Sequence, residues 1–195
     1  MGDTVRVRSV ALPNLAVIDH ALGLGGSPAV AAVQSDRWDV VVLQQGPTPA
    51  GLDRDTLVLA ARLFEPLVRS AGGRIAALMT WPSSTQQVQY PLLFDQTRET
   101  CALEADAVGG ACYPAGDAWR AAWKADPQLP LYGPDGYHPS ALGTYVLALV
   151  VLEEITGRDP RTLPGSAIVN GQRLGFPEAT IRLLQRAAHT TVVAP

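Results

Sequence analysis

The run Asp39-Val40-Val41-Val42-Leu43 constrains the fold more than any other segment of the chain. It is rich in β-branched residues and shows no alternation of polar and apolar positions. A strand of this composition is covered on both faces, as in a parallel sheet between layers of helices. A similar run at 74–79 follows a long amphipathic pattern at 53–71. Strand, helix and strand therefore succeed one another, which is typical of an α/β protein.

Helical and extended patterns alternate along the rest of the chain, and the connections are rich in proline and glycine. Further strands are expected at 5–11 and 111–114; further helices are expected at 15–33 around a break at 23–28, and at 92–107, 117–124, 141–155 and 177–189. We therefore predict a three-layer α/β/α fold with a flavodoxin-like parallel sheet. Residues 1–195 are treated as a single domain, with a core at about 5–157 and a C-terminal extension at 158–195.

Single residues refine three of these elements. Asp53 has the side chain of a good N-cap for the helix at 53–71. Pro66 lies inside that helix and is expected to kink or split it near Phe64. The polar stretch 83–90 has no periodicity and is expected to form a surface loop.

Charge and composition exclude several classes of function. The net charge is −3 and lysine and arginine do not cluster, so neither nucleic acid nor an acidic membrane is an expected partner. No apolar run reaches the roughly 18 residues of a membrane span. Residues 1–6 resemble neither a secretion signal nor a myristoylation site, which favours the cytoplasm, or secretion if the natural N-terminus is longer. Cys101 and Cys112 are interpreted as two buried thiols, with a single disulfide as the alternative.

The segment Asp135-Gly136-Tyr137-His138 is the strongest candidate for chemistry. An Asp three residues before a His, on a loop that contains glycine, can hold its carboxylate beside one imidazole nitrogen. The other nitrogen is then free to accept a proton from a nucleophile. His138 is therefore a candidate general base and Asp135 its orienting partner. The alternative is a structural turn that precedes the helix at 141–155.

Polar residues also follow the predicted strands, where ligands bind in open parallel sheets. They are Asn14, Gln44, Gln45 and the segment Thr80-Trp81. No group of residues has metal-ligand spacing, and no glycine-rich phosphate loop follows a strand. We therefore expect neither a metal nor a cofactor.

Together these segments resemble the SGNH/GDSL hydrolase superfamily. The segment 135–139 is similar to that superfamily's last block, 38–46 to its third block, and 7–15 to its second strand and block. The resemblance implies a serine esterase that acts on small O-acyl esters such as O-acetyl groups. It also implies that Gln45 or Gln44, together with Asn14, donates to the oxyanion. Trp81 would line the substrate site.

The chain departs from that pattern in two ways. The third block usually presents Asn, whereas here a Gln would have to serve. The Gly-Asp-Ser turn that holds the nucleophile, and the central strand before it, would lie upstream of Met1, unless the strand at 5–11 has moved into that place. Thr4 and the pair Ser83-Ser84 are weaker nucleophile candidates.

Two alternative functions remain open from the sequence. One is a catalytically inactive binding or scaffold domain that keeps the SGNH fold. The other is a flavodoxin-like nucleotide binder, which the absence of a phosphate loop disfavours.

Overall fold

A computed structural model describes residues 4–48, 50–89, 92–166, 168–169, 172–173 and 175–194. The strands are β1 (Val40–Leu43), β2 (Arg74–Leu78), β3 (Ala111–Tyr113), β4 (Ile168–Val169) and β5 (Gln172–Arg173). The helices are α1 (Val17–Ala21), α2 (Ala29–Gln34), α3 (Gly51–Ser70), α4 (Ser84–Gln89), α5 (Leu93–Asp106), α6 (Ala115–Ala125), α7 (Ala141–Thr156) and α8 (Glu178–Val192). Short 3-10 helices cover Leu24–Gly26 and Pro160–Thr162.

The α/β class and the parallel sheet are confirmed. The described chain is mixed α/β, and its small parallel sheet has the strand order β1-β2-β3 with flanking helices, consistent with a flavodoxin-like three-layer fold. Val40 pairs with Arg74 and Leu43 with Ala77, so β1 and β2 run in register from end to end. β4 and β5 form a separate antiparallel pair.

The chain divides into two compact units. Unit 1 contains the residues up to Thr80 together with 95–112, and unit 2 contains 81–94 and the residues from Tyr113 onward. The core of unit 1 is formed where α1, α2 and α3 pack near β1 and β2. Its most buried side chains include Ala60, Ala61, Phe64, Val68 and Ile75. Four of these residues recur on one face of α3, as its amphipathic pattern predicts, and Ile75 belongs to β2.

Unit 2 is built on α6, α7 and α8, which pack against one another. Trp119 is fully buried, and its indole N–H donates to the Gly143 carbonyl at 3.2 Å. A Cβ at Gly143 would collide with the Trp119 ring and with the Leu131 carbonyl, so this helix position requires glycine. α8, from the segment predicted as an extension, is part of this packing.

The predicted strand at 5–11 is wrong. Residues 4–12 have no regular secondary structure, and most of their side chains are exposed. Side chains anchor the segment instead: Arg6 pairs with Asp36 at 2.9 Å, and Arg8 donates to Ser35 at 2.8 Å. An alternating sequence forms a strand only where a neighbouring edge supplies hydrogen bonds. The segment does not occupy a place beside β1 either, since the described partner of β1 is β2.

Three smaller predictions are also corrected. α3 continues through Pro66 as one helix, so the predicted split is wrong and the predicted kink stays a prediction. The packed face of the helix outweighs the loss of a single backbone hydrogen bond. Its N-cap is Ala50, and Asp53 lies in the first turn. The segment predicted as a loop forms α4 over Ser84–Gln89. A capping box explains α4: Ser83 N donates to Gln86 Oε1, and Gln86 N donates to Ser83 Oγ.

Cys101 and Cys112 form a disulfide, with a Cα–Cα distance of 5.5 Å. The preferred interpretation of two free thiols is therefore wrong, and the alternative holds. The bridge joins α5 to β3 within unit 1. Spacing alone could not decide this, because pairing depends on how α5 returns to the sheet.

Among the described residues, no helix combines the length and the apolar character needed to cross a membrane.

Candidate functional site

Asp135 and His138 lie at the tip of a short hairpin in unit 2. Tyr132 pairs with Pro139 across the hairpin in antiparallel fashion. Gly133 N donates to the His138 carbonyl at 2.8 Å, and Ser140 N donates to the Leu131 carbonyl at 2.8 Å. Backbone hydrogen bonds alone therefore hold both sides of the tip in place.

The Asp135 carboxylate holds both the backbone and the imidazole. Its Oδ1 accepts hydrogen bonds from Tyr137 N at 3.0 Å and from His138 N at 2.9 Å. Its Oδ2 lies 2.6 Å from His138 Nδ1. The intervening Gly136 has φ +66°, a left-handed conformation that glycine adopts without strain.

The charge of Asp135 fixes the roles of the two ring nitrogens. The hydrogen bond from the His138 side chain, followed by those from the Tyr137 and His138 backbone, lowers the pKa of Asp135 to about 2. A carboxylate that is ionised at neutral pH can only accept, so Nδ1 must carry the hydrogen. In the neutral ring Nε2 then holds the free lone pair, which is the state a general base needs.

Both members of the pair are open to solvent. The side chains of His138 and Asp135 are 74% and 51% exposed. The acid of a Ser-His-Asp triad is usually buried. The pair in this structure is thus held by hydrogen-bond geometry and not by a low-dielectric environment.

The segment Trp81–Ser84, which follows β2, binds the hairpin at three points. Trp81 Nε1 donates to the Tyr137 carbonyl at 3.2 Å, and Ser84 N donates to the Gly136 carbonyl at 2.8 Å. Tyr132 Oη donates to the Pro82 carbonyl at 2.6 Å, and burial raises the pKa of this phenol, which keeps it a donor. We call this segment the 81–84 clamp. No motif in the sequence indicates that Trp81 contacts the backbone beside His138.

The two serines of this region have different surroundings. The Ser83 hydroxyl accepts the capping hydrogen bond of α4. The Ser84 hydroxyl lies against Gly136, where an added Cβ would collide with it. Ser84 thus contacts the hairpin that carries the candidate base, and a role of this pair as nucleophile stays a prediction.

The predicted oxyanion donors lie in unit 1. Gln45 Oε1 accepts from Val17 N at 2.9 Å, and its Nε2 donates to Thr48 Oγ1 at 3.3 Å. A side-chain amide has two N–H groups, so Gln45 keeps one donor beyond the bond to Thr48. Gln44 is exposed, and Asn14 is exposed with φ +60°. The six predicted site residues are thus distributed over both units.

A cavity of about 410 Å³ lies within unit 2. Trp123 and Tyr132 line it, together with Ser84 and Gln87 of α4. The described residues that line it are all uncharged. This composition suits a small neutral ligand better than an ionic one. Sequence reasoning missed it, because it treated α4 as a loop.

Among the described residues, one cluster has side chains that could bind a metal: Glu153, Asp159 and His189. Their potential ligand atoms lie within 4.8 Å of one another. His189 Nδ1 lies 2.7 Å from Glu153 Oε1. Asp159 is already bound by the Arg161 guanidinium, with its closest N–O distance at 2.7 Å. The cluster is a polar network that joins α7 to α8, in which the second carboxylate oxygen of Glu153, Oε2, is buried without a hydrogen-bond partner among the described residues. That the protein needs no metal or cofactor stays a prediction.

Comparison with solved structures supports the fold. A DUF4886 family protein from Bacteroides uniformis superposes with a TM-score of 0.73 at 17% sequence identity, over 94% of this chain and 82% of that one. A protein from Slackia heliotrinireducens, provisionally assigned to the SGNH hydrolases, superposes with a TM-score of 0.60 at 23% identity, over 72% of this chain and 79% of that one. No protein-family model and no curated protein matches the sequence.

At these identities the likeness establishes the fold alone. The chain has an SGNH-like fold, as the sequence blocks predicted. The catalytic roles of individual residues rest on the geometry of the site.

Proposed function

From an SGNH-like fold that carries a hydrogen-bonded Asp135–His138 pair, we propose that the protein is a serine esterase-type hydrolase of small O-acyl esters, O-acetyl esters among them. The observation that carries the proposal is the 2.6 Å contact between Asp135 Oδ2 and His138 Nδ1. It leaves Nε2 as the proton acceptor of the pair.

In the proposed reaction His138 Nε2 takes the proton of a serine hydroxyl as that oxygen attacks the ester carbonyl. The same nitrogen, now protonated, gives the proton to the leaving alcohol, and the acyl group stays on the serine. Water, deprotonated by Nε2, then attacks that acyl group, and the carboxylic acid leaves as the serine takes the proton back. Asp135 remains ionised throughout and holds the imidazolium in place. The serine is proposed to come from residues that precede Met1 in a longer form of the protein.

Gln45 is the proposed main donor to the oxyanion, with Gln44 and Asn14 as further candidates. The contacts of Gln45 with Val17 N and Thr48 fix the plane of its amide and leave one N–H available. A fixed donor stabilises the transition state without reorganisation, and the loss of such a donor typically costs about 3 kcal/mol of barrier.

The test is hydrolysis of p-nitrophenyl acetate by the chain and by a form extended upstream, each with and without His138→Ala. We expect the substitution to lower kcat of the active form about 100-fold or more, because the general base is lost. Asp135 stays ionised at the neutral pH of the assay, because its pKa is lowered to about 2.

His20→Ala is the matched control. His20 also carries a hydrogen-bonded Nδ1, 2.6 Å from Ser27 Oγ, so it reports nonspecific cleavage of the activated ester by imidazole. Equal rates for wild type and His138→Ala would refute the assignment of the base.

A second candidate function is a binding or scaffold domain without catalysis. The observation that favours it is the exposure of Asp135 and His138, since an unshielded pair is a weaker catalyst. A fluorophosphonate probe separates the two candidates: labelling of a serine supports the esterase, and a folded protein that stays unlabelled supports the binding domain.

The disulfide between Cys101 and Cys112 bears on the compartment. Disulfides of this kind persist in oxidising compartments and are rare in the cytosol. We therefore propose that the protein works in an oxidising compartment, contrary to the cytoplasmic expectation drawn from its first residues.

A further inference from the structure

We infer that Trp81 is a positioning residue for His138, which it serves by holding the carbonyl of the peptide that joins Tyr137 to His138. The inference concerns the orientation of the proposed general base and therefore rests on the proposed function for its catalytic meaning. Its structural content can be tested without any activity.

The hydrogen bond from Trp81 is placed where it controls the base. Its Nε1 donates to the Tyr137 carbonyl at 3.2 Å, one peptide bond before His138. Rotation of that peptide would turn the Cα–Cβ bond of His138 and move Nδ1 away from Asp135 Oδ2, which lies only 2.6 Å away. Holding the carbonyl thus preserves the short contact.

The indole is itself held rigidly. Trp81 is only 6% exposed and stacks on Trp119, with ring centroids 3.7 Å apart and planes 13° apart. Trp119 is fully buried and bonded to the Gly143 carbonyl of α7. A donor fixed in this way resists displacement of the carbonyl that it binds.

The rest of the 81–84 clamp acts on the same turn. Pro82 O accepts from Tyr132 Oη on the entering strand of the hairpin, and Ser84 N donates to the Gly136 carbonyl between Asp135 and Tyr137. The three hydrogen bonds therefore bracket the turn that carries the pair.

The burial of Trp81 also separates this role from substrate binding. Its ring face is covered by Trp119 and its N–H is occupied by Tyr137. Little of the side chain is left to contact a ligand directly. Trp81 therefore acts through His138.

The test compares Trp81→Phe with Trp123→Phe. Trp123 provides a matched control, because its Nε1 also donates to a backbone carbonyl in unit 2, that of Leu129 at 3.0 Å, and its ring also packs against Trp119, but it donates no hydrogen bond to the turn that carries the pair. The readout is the His138 imidazole by long-range 1H–15N NMR: the fraction of the Nδ1–H tautomer and the exchange rate of that proton with water.

We expect Trp81→Phe to speed exchange of the His138 Nδ1 proton by about three- to tenfold, as expected for the loss of one hydrogen bond, and to lower the Nδ1–H fraction. Trp123→Phe should leave both values at those of wild type. For an active form, kcat should fall by the same factor while KM stays unchanged. Equal His138 spectra in Trp81→Phe, Trp123→Phe and wild type would overturn the inference.

Tyr132→Phe is the second variant, to be used if Trp81→Phe does not fold. It removes the hydrogen bond to Pro82 and keeps the indole, so a smaller change of the same sign supports the clamp, and an unchanged His138 spectrum counts against it. A tautomer shift in Trp81→Phe together with no hydrolysis by any form would sustain the positioning role and refute the esterase.

Discussion

The two oxygens of the Asp135 carboxylate have different hydrogen-bond partners. Oδ1 accepts from two backbone N–H groups and closes the turn, while Oδ2 faces the imidazole. An Asp at this position thus both shapes the loop and sets the tautomer of His138. The catalytic interpretation and the simpler interpretation as a turn describe the same contacts and are not exclusive.

Glu104 is a buried acid that lies outside the proposed chemistry. Its side chain sits on α5, is 3% exposed, and leaves Oε1 without a hydrogen-bond partner among the described residues. Burial raises its pKa from 4.5 to about 8. The folded protein therefore keeps Glu104 protonated at neutral pH, whereas the unfolded chain ionises it.

This difference predicts a pH-dependent stability. Below about pH 4.5 Glu104 does not lower the free energy of unfolding, because it is protonated in both the folded and the unfolded chain. As the pH rises from there to about 8, the pKa in the folded protein, the free energy of unfolding falls. At about 1.4 kcal/mol for each pKa unit, the loss is on the order of a few kcal/mol. Glu104→Gln should remove it, so the variant should gain stability over wild type as the pH rises.

Urea unfolding of wild type and Glu104→Gln at pH 5, 7 and 9 measures this gain. Glu99→Gln on the exposed face of α5 is the control and should show no such trend. A constant difference between Glu104→Gln and wild type across this range would contradict the assigned pKa.

At the scale of elements, the disulfide fixes α5 to β3 over a sequence separation of 11 residues. β3 is only three residues long, so it depends on such support more than a longer strand would. The bridge restricts the unfolded chain as well, which is the larger part of its effect in the chain-entropy account.

We expect the double variant Cys101→Ala, Cys112→Ala to lose about 2–3 kcal/mol of unfolding free energy. Chemical denaturation with and without a reductant measures the loss, and wild type under reduction should approach the double variant. Wild type that yields two free thiols when denatured without reductant would show that the bridge is absent.

Individual segments show how far the sequence predicted the structure. The β-branched run of β1 and the amphipathic face of α3 were recognised because burial and periodicity are local properties. The strand expected at 5–11 failed, because a strand also needs a free neighbouring edge, which local sequence does not specify. The α4 helix was missed although its capping pair, Ser83 and Gln86, stands in the sequence.

The candidate site was predicted in part. The Asp135–His138 contact followed from a three-residue spacing, which confines both side chains to one turn. Trp81 lies 56 residues from Tyr137 along the chain, so their hydrogen bond depends on packing that no motif encodes. The network of Glu153, Asp159 and His189 was missed for the same reason.

For the whole molecule, the chain has an SGNH-like fold and carries the hydrogen-bonded Asp135–His138 pair on one hairpin of unit 2. The proposed oxyanion donors belong to unit 1. The fold alone does not decide between a hydrolase and a binding domain. The position of the hydrogen on the His138 ring helps to distinguish these two functions, because a general base must have an unprotonated nitrogen that faces away from its orienting partner.

The most direct test is a long-range 1H–15N NMR spectrum of the protein with 15N-labelled histidine, recorded at about pH 8, where an unperturbed imidazole is neutral. The resonances of His138 are identified by their loss in His138→Ala. We expect the hydrogen on Nδ1, bonded to Asp135, and a bare Nε2. A His138 ring protonated on Nε2, or exchanging between both tautomers as an unrestrained imidazole does, would contradict the proposed general base.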